Sequence, residues 1–274
     1  MTIIRIPKAT THNEAKELND KLKGTIVERL LSPLGKRAYY PISGIPGQTG
    51  EAQGTKINAT LGQAFDDERN PLVLDCFAQY TKLPIKEVFP YPPTHGIKAL
   101  RELWQKEIRR KNPSLEGRIS LPVATAGLAG GLTLARELFI AEEDEVILYR
   151  PYWGNYNLHF QGENGLTQIT ELSLYKENSL DLESLEESLL GSGKKHVICL
   201  TFPSNPTGYM PTTEEAEQII TILKNAADRD NALCIITDDA YHGLIYEPGL
   251  FTESFFAQCA NLHPNILAVK VDGP

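Results

Sequence analysis

Two adjacent carboxylates, Asp238 and Asp239, close a short apolar, β-branched run (residues 232–237) that reads as a buried strand. An unpaired buried carboxylate is costly, so a strand ending this way calls for a cation. A protonated pyridine nitrogen is one suitable partner. An aspartate here could equally N-cap the segment that follows. Tyr241 adds an aromatic hydroxyl close behind. Ligands of open α/β sheets bind at the carboxyl ends of strands, so the other strand ends carry weight.

Three more loops follow predicted strands. Thr125-Ala126-Gly127-Leu128-Ala129-Gly130-Gly131 joins a strand to a helix. Free N–H groups at a helix start behind a glycine turn bind phosphate, although glycines there also permit close packing. The segment is neither G-x-G-x-x-G nor a P-loop, so dinucleotide and nucleoside-triphosphate readings lose support. In Arg150-Pro151-Tyr152-Trp153, Trp153 offers a flat face to a planar ring, or fills the core at a bend. In Phe202-Pro203-Ser204-Asn205-Pro206-Thr207-Gly208, Asn205 offers an amide between two prolines, although Asn-Pro is also a plain turn signal.

The elements that must hold these loops alternate. Strands are predicted over 119–124, 144–149, 166–174, 196–201, 232–237 and 265–271. Helices are predicted over 128–139, 182–190 (capped by Asp181 or Ser179), 212–228 and 253–259. Strands alternating with helices give an α/β fold, a three-layer sandwich with a mostly parallel sheet. Ahead of it, periodicity predicts a helix over 13–31 and a loop over 41–50. A polar turn follows at 65–71, a helix from Pro71 to residue 80, a loop over 89–96 and an amphipathic helix over 96–110.

The 274 residues are 41% hydrophobic and 23% charged, which suits a soluble protein with a sizeable core. The net charge of -8 argues against nucleic acid or an anionic membrane as partner. Cys76, Cys199, Cys234 and Cys259 are scattered, with no metal-ligand spacing. No run approaches a membrane span, and the N-terminus lacks an apolar export segment. The expected location is the cytoplasm, where thiols stay reduced.

The loops occur in a fixed order: glycine turn, Pro-x-Trp, Asn-Pro-Thr-Gly, Asp-x-Ala-Tyr. In this the chain resembles the fold-type I pyridoxal-phosphate (PLP) enzymes, particularly class I/II aminotransferases of the aspartate aminotransferase kind. The likeness runs from about Asn58 onward and includes Tyr91-x4-Gly96-x3-Leu100-Arg101 and the segment from Gly62 to Leu74. It implies an N-terminal arm and helix over 1–57 and a PLP-binding large domain over 58–274. It further implies phosphate contacts from the N–H groups of Leu128 and Ala129, where the family often has Ser or Thr. Trp153 would stack on the pyridine ring, Asn205 and Tyr241 would bond its O3′, and Asp238 would hold its nitrogen protonated. Tyr91 would reach the phosphate of a second subunit in a homodimer. Gly62, Trp153 and Asn205 would border the substrates, an amino acid and a 2-oxo acid.

The family also needs a Schiff-base lysine, commonly preceded by Ser or Thr. Lys270 has a plausible separation from Asp238, yet it stands between two valines in a predicted strand. The expectation is therefore a lysine just past Pro274, with these residues an incomplete large domain and the carboxyl-terminal small domain absent. The alternatives are a PLP-dependent lyase or decarboxylase of the same fold, or a non-catalytic binding relative without the lysine.

Overall fold

The computed structural model describes residues 4–6, 11–39, 45–60, 62–160, 167–177 and 179–273. The chain divides into two compact units, Thr11–Thr94 and Met1–Thr10 with His95–Pro274.

The unit Thr11–Thr94 holds short helices: α1 Asn13–Leu22, α2 Ile26–Leu30, α3 Pro33–Arg37, α4 Ile45–Glu51, α5 Asp75–Ala78 and α6 Ile85–Val88. The single helix expected over 13–31 is broken. Gly24 adopts φ +75°, which ends an α-helix as a C-terminal glycine does. Thr25 then caps the restart through the Glu28 N–H. The expected 41–50 loop is helical from Ile45; residues 41–44 lie outside the described residues. The helix expected from Pro71 begins only at Asp75. Pro71 bridges Phe65, and the Leu72 N–H donates to the Ala64 carbonyl at 3.0 Å, so this stretch stays extended. The polar turn itself forms, with Asp66 accepting the Asn70 N–H at 2.7 Å.

The second unit is the α/β body. Its strands are β1 Ile4–Ile6, β2 Glu145–Arg150, β3 Gln168–Ser173, β4 Tyr175–Lys176, β5 Ser179–Leu180, β6 Lys195–Leu200, β7 Ala232–Asp238 and β8 Ile266–Val271. Its helices are α7 Lys98–Lys111, α8 Gly127–Phe139, α9 Tyr156–Phe160, α10 Leu182–Ser188, α11 Thr213–Asp228 and α12 Phe255–Cys259. The main sheet runs β1-β3-β2-β6-β7-β8. All neighbours are parallel except β1, which is antiparallel to β3 at the edge. Strands β4 and β5 make a separate two-stranded ribbon. The alternation of apolar side chains through the sheet builds two cores. Ile147, Ile198 and Ile235 pack with α10 and α11 on one face. Val146, Leu148, Cys199 and Ile236 pack with α8 and α9 on the other.

Local signals set the helix starts. Thr212 and Glu215 form a reciprocal capping box on α11, and Asp181 caps α10 through the Ser184 N–H. Residues 119–124, expected as a strand, join no sheet among the described residues. Arg101 of α7 donates to the Pro122 and Leu121 carbonyls, and Gln105 to those of Ile119 and Ser120. The carbonyls are satisfied by side chains instead of a ladder, and Pro122 lacks an N–H to offer one. This extended stretch is anchored by Gly96, at φ +99°, where an added Cβ would lie 2.7 Å from the Ala124 Cβ. Only glycine fits that approach.

Candidate active site

Chain topology creates a crevice at one end of the sheet. From β2 the chain runs to β3 on one side, then crosses to β6 on the other. At such a reversal the two loops leaving adjacent strands diverge, which is where open α/β sheets bind ligands. The loops after β2 and β6 carry Trp153 and Asn205. A cavity of about 10 Å³ lies between them, lined by Tyr152, Tyr156, Thr201 and Asn205 among others.

Helix α8 starts at the end of β8, where Leu128 meets Gly273 and Gly131 meets Val271. Its N-cap, Ala126, has no side chain able to accept a hydrogen bond, so the helix has no side-chain cap among the described residues. Gly127 turns the chain in at φ +68°. The amides of Leu128 and Ala129 belong to the first turn, whose N–H groups find no partner within a helix. The helix is pressed onto β8: a Cβ at Gly131 would lie 2.9 Å from Val271. Leu128 also touches Gly273, so the chain after β8 adjoins this first turn.

Asp238 and Asp239 are 4% and 5% exposed, yet they serve opposite faces. Asp238 shares the side of Ile236, the face of α8 and α9. It accepts a 2.5 Å bond from the Tyr156 hydroxyl and a 3.2 Å bond from the Ala240 N–H. Neither donor is charged, and burial pushes its carboxyl above the ordinary range. Asp239 faces the other way. It accepts from the Ser254 hydroxyl at 2.6 Å and the Thr237 hydroxyl at 3.3 Å, and it pairs with the Lys270 ammonium. Asn112, the C-cap of α7, secures Ser254, accepting its N–H at 2.7 Å.

The other sequence candidates are placed as follows. The Asn205 amide donates to the Tyr241 hydroxyl at 3.2 Å, so these two meet. Trp153 stands edge-on to Tyr156, ring centres 5.6 Å apart, and against His159 at 5.7 Å. Lys270 pairs in register with Thr237, and Asp272 lies 3.4 Å from its ammonium. It therefore shares the face of Asp239 and turns away from Asp238. Gly62 and Tyr91 belong to the unit Thr11–Thr94. Tyr91 is 90% exposed there.

Tyr156 was not singled out by sequence. It is 1% exposed, and its hydroxyl also meets the Thr201 hydroxyl at 2.6 Å. Its only sequence signal is its position shortly after the Pro-x-Trp loop.

The family described as aminotransferase class I and II matches residues 55–269 of this chain. The chain belongs to that family. An aspartate aminotransferase of Bacillus sp. (strain YM-2) is 28% identical over 156 residues, covering 57% of this chain and 38% of the relative. A probable aspartate/prephenate aminotransferase of Aquifex aeolicus is 29% identical over 174 residues, covering 63% and 42%. The chain thus spans about two fifths of the length of these curated relatives. An aminotransferase structure from Anaerococcus prevotii has the same fold, with a TM-score of 0.69, 24% identity, and coverage of 83% of this chain and 57% of that one. A mitochondrial aspartate aminotransferase from Trypanosoma brucei superposes with a TM-score of 0.58 at 25% identity, covering 73% and 52%. Class I and II aminotransferases are transferases that use PLP, and the mostly parallel α/β body is their large-domain fold.

Proposed function

We propose that this chain holds PLP for the transfer of an amino group between an amino acid and a 2-oxo acid. The observation that carries the reading is the convergence of four features at one end of the sheet. These are the start of α8 without a side-chain cap, Trp153, the Asn205–Tyr241 pair and the buried Asp238, which has no cationic partner among the described residues. Each suits a different part of the cofactor. The N–H groups of Leu128 and Ala129 hold the phosphate, aided by the helix dipole. Trp153 covers the ring face. Asn205 and Tyr241 bond the ring oxygen O3′. Asp238 keeps a proton on the ring nitrogen, and that cation in turn relieves the cost of its burial. When bound, PLP supplies an electron sink for the substrate carbon.

In this reading residues 58–274 are the PLP-binding large domain, and Trp153 and Asn205 border the substrate. The lysine that bonds the cofactor is not Lys270, because that ammonium is held by two carboxylates on the opposite face. The aspartate aminotransferase names of the relatives favour a dicarboxylic amino acid as donor. Free cysteines, three of them buried, suit a cytoplasmic protein. No described helix is long and apolar enough to cross a membrane.

Pyridoxamine 5′-phosphate tests the reading directly, since it needs no lysine. The protein should bind it saturably, and Trp153→Ala should weaken binding about tenfold, the worth of one aromatic stacking contact. A parent protein that fails to bind it would sink the assignment. Borohydride treatment with PLP, followed by peptide mapping, should leave Lys270 unlabelled.

The homodimer belongs to the same proposal, with Tyr91 reaching the phosphate held by the second copy. Sedimentation at micromolar concentration should give a dimer. Tyr91→Phe should weaken pyridoxamine 5′-phosphate binding about ten- to a hundredfold, the worth of one hydrogen bond to a charged group. A monomer that binds the cofactor at full strength would overturn this part.

A further inference from the structure

Asp238 is a buried carboxylate whose charge needs support before any ligand arrives. The groups around it can be enumerated by element. Its own strand supplies the Ala240 N–H just beyond the strand end and, through the sheet, the charge of Asp239. Strand β6 supplies the Cys199 thiol, which is fully buried and pushed well above its ordinary range by burial. Val271 of β8 stands beside Asp238 in register and belongs to the apolar cluster of that face. Helix α9 supplies Tyr156, the one side chain that hydrogen-bonds Asp238 among the described residues.

The phenol has a single proton. That proton goes to Asp238, so the Thr201 hydroxyl, 2.6 Å away, must donate to the phenol oxygen. The result is a one-way chain, Thr201 to Tyr156 to Asp238. Tyr156 is well placed for it. Burial drives its own ionisation far upward, so it remains a neutral donor. Its ring is fixed by Phe160 at 5.4 Å and stands edge-on to Trp153 at 5.6 Å.

We propose that Tyr156, oriented by Thr201, is the positioning residue of this site: its hydroxyl holds Asp238 charged and aimed, and its ring sets the position of Trp153. One aromatic side chain thereby ties the group that meets the ring nitrogen to the group that covers the ring face. The inference rests on the cofactor reading above and adds to it a residue that acts through two others.

The test is the pH dependence of pyridoxamine 5′-phosphate affinity in the parent, Tyr156→Phe and Thr201→Val proteins. Binding through Asp238 requires its ionised form, so affinity falls on the acid side as Asp238 takes up a proton. Removing a hydrogen bond to a charged acceptor raises that proton affinity. In Tyr156→Phe the acid limb should move upward by about one to two pH units. At high pH, where Asp238 is ionised in both proteins, affinities should agree within a few-fold. Thr201→Val should move the limb the same way by less. A purely structural role would weaken binding equally at every pH and leave the limb in place, and that result would overturn the inference. A limb that moves in Thr201→Val but not in Tyr156→Phe would overturn it too. A parent that does not bind the probe at all would instead defeat the cofactor reading on which the inference stands.

Discussion

If the proposed function holds, Asp238→Asn should lower the amino-transfer rate of the full enzyme about a thousandfold, a barrier increase of about 4 kcal/mol, while Asp239→Asn should stay within about tenfold of the parent. Both carboxylates end β7 and both are buried. The strand sends them to opposite faces. Asp238 joins Tyr156 near the crevice between β2 and β6, and Asp239 joins Ser254 and Lys270 on the other side. Asparagine at 238 keeps a hydrogen-bonding oxygen for Tyr156 but loses the charge that retains a proton on a ring nitrogen. The measurement is the half-transamination rate at matched PLP occupancy. A crippled Asp239→Asn with a healthy Asp238→Asn would place the register of β7 off by one.

Stability should move the opposite way. Burial raises the folded-state pKa of Asp238 above its unfolded value. For an acid so shifted, the folded state holds its proton more tightly. The contribution is favourable at low pH and is lost as pH rises through the folded pKa. Cofactor-free Asp238→Asn should therefore unfold at a higher temperature than the parent at neutral pH. The gain should shrink as pH falls and the parent carboxyl protonates.

Lys270→Met should cost about 3–5 kcal/mol of folding stability, the usual penalty for leaving one member of a buried ion pair alone. The side chains of Lys270 and Asp239 are 5% and 4% exposed. Methionine fills much of the volume but strands the Asp239 charge. Ser254 and Thr237 still donate to it, and two neutral donors replace an ammonium poorly. Adding Asp239→Asn should recover a large part of the loss, because both members of the pair are then neutral. Pyridoxamine 5′-phosphate affinity of Lys270→Met should stay near the parent value wherever the protein is folded. Urea unfolding at neutral pH, together with that affinity, reads both effects. A loss under about 1 kcal/mol, the range of exposed pairs, would mean that water reaches Asp239. A lost affinity with intact stability would put Lys270 in the cofactor site.

Several features of this protein are determined by sequence alone. The period-two pattern of residues 232–239 assigns Asp238 and Asp239 to opposite faces, and they lie there. The spacing of apolar runs yields the parallel sheet, because each run is long enough to be buried and each connection long enough to cross over. Thr212 with Glu215, and Asp181 with Ser184, mark helix starts by chemistry confined to a few neighbouring residues. The break at Gly24 was equally local and could have been read from its glycine.

Tertiary structure decided what depends on distant partners. Residues 119–124 have a strand-like composition, but Arg101 and Gln105 claim their carbonyls first. Residues 71–74 stay extended because Phe65 and Ala64 hold them. Tyr156 gains its significance from Asp238, 82 residues away in the chain. Lys270 likewise faces Asp239 because of the register of β8 on β7. Local sequence fixes backbone preference within a turn or two. The partner of a buried polar group is fixed by which strands become neighbours, and that depends on the packing of the whole sheet.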